Sequence, residues 1–477
     1  MVLANPWMAV RRLAVVAWMV VAWTMVSFAC VAAENVTVHV QARTMRSGSA
    51  AVNSGKPNFE KPDVAEFRTE ATEARPWRQR IAADEFQRDF TSVHPPQAFR
   101  AFLQQVDNTP GTNPLTDAGA NLGRALFYDV GLSGSGATSC ASCHQQRHAF
   151  TDGVARSVGH TGQTVRRNSM PLVNLRYTPG DEFFWDGRAR TLEAQVIEPL
   201  LDPIEMGGTI DAVIDRVESH PDYRRLWNDA FGDARVDRDG IAKSLAQFVR
   251  SITSFDSRYD RGRRSVDSAQ QPFPNFTAQE NEGKRIFFSF SCADCHLPEV
   301  NGERQDILFQ TVDWINNGLD IASEDVDPGR REVSGRASDE GRFRASSLRN
   351  IMQTAPYMHD GRFVSVLQVI EHYNWSVKPT DNLDPRLRDF SDNGMALPEI
   401  EKDALVAFLH TLTDRSLLSD ARWADPWRSV SDANLSTASS SPPSIAPSGH
   451  AVDPSGIATN QSARATRATS SSEVTPR

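Results

Sequence analysis

Apolar residues recur with helical spacing along the middle of this chain, whereas the alternating pattern typical of strands is scarce. Sets at i, i+3, i+4 and i+7 predict amphipathic helices, and we find three of them: Leu245, Phe248, Val249 and Ile252; Val366, Val369, Ile370 and Tyr373; Leu405, Phe408, Leu409 and Leu412. The segments between them are long and rich in Gly, Pro, Asp and Asn. The pattern predicts a mainly α fold of short helices.

The two ends of the chain lack this periodicity. Residues 1–33 carry two arginines and then a long apolar run, which predicts a secretory signal, with an uncleaved membrane anchor as the alternative. Residues 34–79 are polar and indicate a flexible spacer. Residues 429–477 are rich in Ser, Thr, Ala and Pro and indicate a disordered tail. The folded body is therefore predicted over residues 80–428, and a signal at this end predicts a periplasmic location.

An internal repeat divides the folded body. The segment GRALFY begins at Gly123, and the similar segment GKRIFF begins at Gly283. Each has the pattern of a helix, and each is followed by a cysteine motif. Repeated units predict similar domains, so we expect two, over residues 80–270 and 271–428.

Composition excludes some classes of function. The chain has 477 residues, of which 40% are hydrophobic and 23% are charged, and these are ordinary proportions for a globular protein. Its formal net charge of −9 argues against a nucleic-acid partner. An acidic protein of this kind would suit a basic redox partner.

Four of the five cysteines lie in two C-x-x-C-H motifs, while Cys30 lies in the predicted signal. The motif residues are Cys140, Cys143 and His144, then Cys292, Cys295 and His296. This motif is the attachment signature of c-type haem: two thiols bind the two vinyl groups of one porphyrin, and the histidine becomes the proximal iron ligand. The motifs predict two covalently bound haems.

Other uses of these cysteines are less favoured. An exported protein with four cysteines would ordinarily suggest disulfides. A zinc site would need further ligands near each motif, and a redox C-x-x-C would sit at a strand-to-helix junction, which the pattern does not predict. His148 lies four residues after His144, but the proximal position is already taken, so we expect it at the surface or at a haem edge.

The residues around these motifs resemble those of the bacterial di-haem cytochrome c peroxidases, from about Asn121 to Asp414. The matching segments, in order, are CASCHQQRHAFTDG, SVGHTG, RRNSMPLVN, FFWDGRARTLEAQ, PIEMG, CADCH, SLRNIMQTAPYMHDGRF and DALVAFLHTLTD. The resemblance implies two cytochrome c-like haem domains in tandem, a peroxidatic one first and an electron-transfer one second. The chain departs from the family in its spacer, its tail and an insertion-like stretch, SEDVDPGRREVSGRASDE.

For the first haem, the resemblance implies four roles. His144 would be the proximal ligand, and His160 would be a loop histidine able to close the other face of the iron. Gln195 and Glu205 would be the polar residues of the peroxide pocket. The glycines at 159 and 162 suit a movable ligand. A carboxyl group with a raised pKa could transfer a proton between the two oxygens of peroxide.

For the second haem, the resemblance implies His296 and Met358 as the axial pair. Met358 follows the motif within a polar turn rather than on an apolar helix face, and a thioether ligand favours ferrous iron; His359 is the competing ligand. Trp185 would lie between the haems, where plain core packing is the alternative. Asn168 would bind calcium.

These features predict an enzyme that reduces hydrogen peroxide to water with electrons from a monohaem cytochrome c or a copper protein. One alternative is a related di-haem enzyme that uses peroxide to oxidise a protein substrate; it carries a tyrosine where Met358 stands. Another is a non-catalytic electron carrier, in which Glu205 and Gln195 would have no chemical role. The resemblance also implies a homodimer.

Overall fold

The computed structural model describes residues 79–92, 95–178, 180, 182–290, 292–300, 303–311, 313–319 and 327–429. The predicted signal and nearly all of the predicted spacer and tail lie outside the described residues. Gln79 and Ser429 pair at the end of one short β-ladder, so ordered pairing reaches one residue beyond each predicted limit of the folded body.

The described chain is mainly helical, as predicted. The α-helices are α1 Gln97–Gln105, α2 Asp117–Tyr128, α3 Cys140–Cys143, α4 Leu192–Gln195, α5 Glu198–Leu201, α6 Ile210–Ser219, α7 Pro221–Phe231, α8 Arg238–Ser251, α9 Arg258–Arg263, α10 Ala278–Ser289, α11 Cys292–His296, α12 Arg331–Ser334, α13 Val366–Glu371, α14 Arg388–Asn393 and α15 Glu399–His410. Short 3₁₀ turns span Ala83–Glu85, Val130–Leu132, Gln146–His148, Leu175–Tyr177, Ala337–Asp339, Ile351–Gln353, Pro385–Leu387 and Ala421–Trp423, and a π-helical turn spans His372–Ser376.

Strands are short and form three antiparallel pairs within the described residues. They are β1 Gln79–Ile81 with β6 Trp427–Ser429, β2 Glu299–Val300 with β3 Glu303–Arg304, and β4 Trp314–Ile315 with β5 Phe343–Arg344. Runs of two or three residues are too short for a sequence alternation to reveal, which explains why the sequence predicts almost no strand.

The two helices of the internal repeat begin at threonine caps. The Thr116 hydroxyl accepts from the Gly119 amide at the start of α2. Thr277 and Glu280 form a reciprocal capping box at the start of α10. Such caps satisfy amide groups that the first turn leaves unpaired, so these sequence positions set where each helix starts.

Each of these helices packs against a later helix through a glycine. A Cβ on Gly123 would lie 1.9 Å from the Ser244 carbonyl oxygen of α8, and a Cβ on Gly283 would lie 1.8 Å from the Ala404 carbonyl oxygen of α15. Both contacts require glycine because any side chain would collide with backbone. The same helix-on-helix contact therefore occurs twice, and the glycine and its partner residue are equally far apart along the chain in the two copies.

Two large apolar cores surround these contacts. The first is built on α2 and α8, with Leu126 and Phe248 fully buried, and the second on α10 and α15, with Ile286 and Phe408 fully buried. The predicted apolar sets lie here: residues 245–249 fall in α8 and residues 405–409 in α15. Within the described residues, no helix is both long and apolar enough to cross a membrane.

Candidate functional site

Two cavities open beside the two cysteine motifs. The first, of about 720 Å³, is lined by Cys143 and His144. The second, of about 220 Å³, is lined by Cys292, Cys295 and His296. Each motif lies on a short helix that follows one of the repeated helices, so the internal repeat places one cysteine motif at each cavity.

The first motif holds its histidine in a defined orientation. The His144 amide donates to the Cys140 carbonyl at 2.9 Å, which closes the turn of α3. The His144 ring donates from Nδ1 to the Phe150 carbonyl at 2.8 Å. That bond assigns the proton to Nδ1 and leaves Nε2 as a free electron pair. Burial lowers the pKa of His144, so the ring is neutral.

The second motif forms α11 and is equally enclosed. Burial lowers the pKa of His296 to about 4, and its buried Nδ1 has no hydrogen-bond partner within the described part of the chain. Burial also raises the pKa of the cysteine thiols, to about 12 for Cys140, Cys292 and Cys295 and to about 11 for Cys143. The thiols are therefore protonated at neutral pH.

These groups fit covalently bound haem better than zinc. Each site offers two unpaired cysteines, a neutral imidazole and a cavity, which are the protein's contribution to a c-type haem. A structural zinc ion needs four clustered ligands. Among the described residues, no group of three or more His, Cys, Asp or Glu side chains is arranged to hold a metal ion.

Gln195 and Glu205 line the first cavity together with His144. Gln195 is the last residue of α4. Glu205 follows a turn in which one carboxylate oxygen of Asp202 accepts from the backbone amides of Ile204 and Glu205, at 2.8 and 3.0 Å. Burial, aided by the negative charge of Asp202, raises the pKa of Glu205 to about 6. The carboxyl group can therefore accept and release a proton near neutral pH.

His160 lies beside this cavity but is not among the residues that line it. Its ring nitrogen Nε2 donates to the Pro203 carbonyl at 2.9 Å, and its backbone amide donates to the Glu205 carbonyl at 2.9 Å. The ring rests against Gly207, where a Cβ would come within 2.2 Å of Nε2. The imidazole is thus held by the 203–207 loop, and its role as an iron ligand stays a prediction.

Trp185 and Asn168 each line both cavities. The Trp185 indole donates from Nε1 to the backbone carbonyl of Asn168 at 2.8 Å. The backbone amide of Asn168 in turn donates to the His359 carbonyl at 2.7 Å. A chain of hydrogen bonds therefore runs from the wall of the first cavity to the turn beside the second. The Asn168 side-chain nitrogen donates to the Val154 carbonyl at 3.0 Å; its role as a calcium ligand stays a prediction.

Met358 lines the second cavity with His296, in a backbone conformation with φ of 74°. His359 also lines it, but its ring stacks on Phe343 with centroids 3.7 Å apart and planes 8° apart. That stacking occupies one face of the imidazole. The structure brings Met358 and His296 into one cavity, as the resemblance implied, without showing which group binds iron.

Two features of the cavities escape sequence reasoning. Tyr373 belongs to an apolar helical set, where an aromatic residue ordinarily predicts core packing. Tyr373 does pack against a buried apolar cluster, but it also lines the second cavity. Its hydroxyl is 3.4 Å from the Asn317 side-chain nitrogen, and burial raises its pKa to about 12. The related enzyme that oxidises a protein substrate carries a tyrosine where Met358 stands in this chain. Because Tyr373 reaches the same cavity from another segment, the presence of Met358 argues less strongly against that alternative.

The second feature is part of the insertion-like stretch. Glu332 and Val333 of α12 line the first cavity. Arg166 donates to Glu332 at 2.8 Å, and Arg167 donates to Asp327 at 2.7 Å. These ion pairs join the stretch to the loop that precedes Asn168. An acidic insertion offers no sequence signal for such a contact, because its partners lie more than 150 residues away.

Comparison with known proteins agrees with this architecture. A profile of the family described as di-haem cytochrome c peroxidase matches residues 117–267. The chain is 33% identical over 374 residues to the methylamine utilization protein MauG of Paracoccus denitrificans, covering 65% of this chain and 93% of the relative. It is 32% identical over 297 residues to the cytochrome c551 peroxidase of Nitrosomonas europaea, covering 62% and 79%. A solved MauG-like protein associated with microbial copper homeostasis is 32% identical, with a TM-score of 0.58 and coverage of 70% and 97%. The chain belongs to the di-haem cytochrome c peroxidase family, which confirms the resemblance.

Proposed function

We propose that this protein is a peroxidase that reduces hydrogen peroxide to water, using two electrons and two protons per peroxide. The observation that carries the proposal is the shared first cavity, where the neutral His144 ring faces the same space as Gln195 and Glu205. A non-catalytic electron carrier would have no use for a carboxyl group whose pKa is near 6. The relative named cytochrome c551 peroxidase supports the same class of chemistry.

The residues of the chain divide the work at the first cavity. A haem bound through Cys140 and Cys143, with His144 as its proximal ligand, would supply the iron chemistry of peroxide reduction. Glu205 takes a proton from the near oxygen of peroxide and returns it to the departing oxygen, so that water leaves. The Gln195 amide orients the peroxide by hydrogen bonding.

The second cavity would receive electrons from the donor protein. We assign residues 80–270 to a peroxidatic haem domain and residues 271–428 to an electron-transfer haem domain. The two apolar cores and the repeated glycine contacts support this division, except that Leu417, Trp423 and Trp427 pack into the first core. Trp185 would carry electrons between the domains, since its ring borders both cavities. The donor is a small redox protein, either a monohaem cytochrome c or a copper protein.

Further parts of the proposal rest on the sequence and the family. The predicted signal supports a periplasmic location, with the anchor as alternative. Family membership supports a calcium-binding homodimer, with Asn168 as one calcium ligand.

Peroxide-dependent oxidation of reduced cytochrome c tests the function directly. The purified holoprotein should oxidise the donor only when peroxide is present, consuming two equivalents of donor per peroxide. Absence of turnover with cytochrome c and with a copper protein donor would overturn the proposal.

The number of haems is tested separately. The double variant Cys292→Ala with Cys295→Ala should leave one covalent haem by pyridine haemochrome assay, as should Cys140→Ala with Cys143→Ala.

One observation favours a second candidate function, peroxide-driven oxidation of a protein substrate. Tyr373 places a phenol in the second cavity, and an anionic tyrosine ligand favours oxidised iron, whereas methionine favours ferrous iron. Met358→Leu and Tyr373→Phe distinguish the two ligands. If Met358 binds iron, only its replacement should change the optical spectrum and lower the potential of the second haem. If Tyr373 binds iron, only Tyr373→Phe should change the spectrum, and the potential should rise.

A further inference from the structure

The side chain of Asn317 lies between the two candidate ligands of the second cavity. Its nitrogen Nδ2 is 3.4 Å from the Met358 sulfur and 3.4 Å from the Tyr373 hydroxyl. The first distance is favourable for a hydrogen bond to sulfur, which is a larger acceptor than oxygen, and the second is long for a bond to oxygen. Because an amide nitrogen carries two hydrogens, it can serve two acceptors at once.

The turn that carries Asn317 is tightly held. Its carbonyl accepts from the His372 ring nitrogen Nε2 at 2.9 Å, which ties it to the π-helical turn that contains Tyr373. The Asn316 side-chain oxygen accepts from the Gly318 amide at 3.0 Å, and the Gly318 carbonyl accepts from the Lys378 amide at 2.9 Å. These bonds fix the direction in which the Asn317 side chain leaves the backbone.

Packing at the next residue removes the remaining freedom of the turn. Gly318 has a φ of 67°, and a Cβ there would lie 2.7 Å from the Lys378 carbonyl oxygen. Only glycine adopts this φ without strain and also leaves room for the Lys378 carbonyl oxygen. The amide of Asn317 is therefore presented to the cavity by rigid backbone, as is required of a group that must hold a fixed distance from a ligand.

We propose that Asn317 is a positioning residue of the second haem site, whose amide donates a hydrogen bond to the sixth ligand of the iron and raises the reduction potential of that haem. The proposal rests on the proposed function only in assuming haem at this motif. A donor hydrogen bond withdraws electron density from a thioether or a phenolate, so either becomes a weaker electron donor to iron. Ferric iron needs that donation more than ferrous iron does. The ferrous form is therefore stabilised relative to the ferric form, and the reduction potential rises.

The test is a redox titration of the loaded protein without peroxide, so its outcome is independent of peroxidase turnover. Asn317→Leu keeps similar volume but removes the donor. Its oxidised-to-reduced equilibrium should shift about fivefold toward the oxidised form, the scale of one hydrogen bond, and the ligand-dependent bands of the second haem should move. Asn317→Ala serves as a second variant if the leucine side chain prevents haem loading.

Asn316→Ala is the matched control, because it loosens the same turn and its side chain does not line the cavity. This control should shift the potential by less than Asn317→Leu does, because the Asn317 amide donor stays in place. The Asn317→Leu shift should also disappear when combined with Met358→Leu or with Tyr373→Phe, whichever removes the ligand. An unchanged potential in Asn317→Leu overturns the proposal. So does an equal shift in Asn316→Ala, or a shift that persists in both combined variants.

Discussion

In the proposed function, the chemistry of the first cavity depends on one carboxyl group whose environment is unlike that of an ordinary glutamate. Glu205 sits in a turn, where most glutamates are solvated and unremarkable in pKa. Burial and the Asp202 carboxylate raise its pKa to about 6. A proton-transfer group works best when its pKa is close to the working pH, so this shift is what a peroxide pocket requires.

Activity should therefore depend on pH through Glu205. The residue must be deprotonated to accept the first proton from peroxide, so the rate of reaction with peroxide should fall as the pH drops below about 6, by tenfold per unit once the group is mostly protonated. Glu205→Gln should reduce the rate roughly a hundredfold or more and abolish this acidic limb of the pH–rate profile. Stopped-flow measurement across pH 4.5 to 8 checks both.

Asp202→Asn is the companion variant, since it keeps the Asx turn but removes the neighbouring charge. The pKa of Glu205 should then fall and the limb should move to lower pH. A limb that survives in Glu205→Gln would mean that another group titrates.

At the scale of secondary-structure elements, the fold repeats one helix-on-helix contact. Helix α2 crosses α8 at Gly123, and α10 crosses α15 at Gly283, with Phe248 and Phe408 at equivalent positions next to the glycines. A side chain at either crossing would push the helices apart. A cysteine motif follows each crossing helix, at Cys140 after α2 and at Cys292 after α10, so the crossing also helps to position the motif.

Gly283→Ala should destabilise the protein by about 1–3 kcal/mol, the usual cost of overpacking a close helix contact. The added methyl group would meet the Ala404 carbonyl oxygen at 1.8 Å, and backbone cannot give way as a side chain can. Gly111→Ala is the control, because no atom lies within 4 Å of its Cβ position. Chemical denaturation of both variants measures the difference. Equal stability of the two would show that α10 and α15 adjust without cost.

At the scale of the whole molecule, the two cavities are joined by the wall they share. Trp185 and Asn168 border both, and the indole is fixed by its bond to the Asn168 carbonyl. Nearby, the ion pairs of Arg166 and Arg167 hold the 327–332 stretch against the first cavity. Residues from both halves of the sequence therefore enclose the place where peroxide is predicted to react.

Trp185→Phe should leave haem content and peroxide binding intact but slow the transfer of electrons from the second haem to the first. Phenylalanine fills most of the same space but is much harder to oxidise than indole and cannot donate to Asn168. Stopped-flow oxidation of the pre-reduced second haem by peroxide measures the step. Trp314→Phe is the control, since Trp314 bonds to Glu182 and borders neither cavity. Equal slowing in both variants would indicate a general packing effect.

His160 tests whether the molecule has a redox-dependent gate. To reach iron, its Nε2 must leave the Pro203 carbonyl that it contacts here. We expect fully oxidised protein to be silent, one-electron-reduced protein to be active, and His160→Gly to be active in both forms. The assay compares peroxide turnover of four samples, the wild type and the variant in each of the two forms. Equal activity in all of them would show that His160 does not control access.

The sequence by itself determined those features of this protein that depend only on neighbouring residues. Two thiols three positions apart followed by histidine, and the threonine caps of α2 and α10, are each encoded within a few neighbouring residues. The meeting of Met358, Tyr373 and Asn317 in one cavity was decided only by tertiary structure. So were the contact of His160 with the Pro203 carbonyl and the contact of α12 with the first cavity. Such contacts join segments tens of residues apart or more, and their geometry depends on how helices and turns pack, which no local spacing specifies.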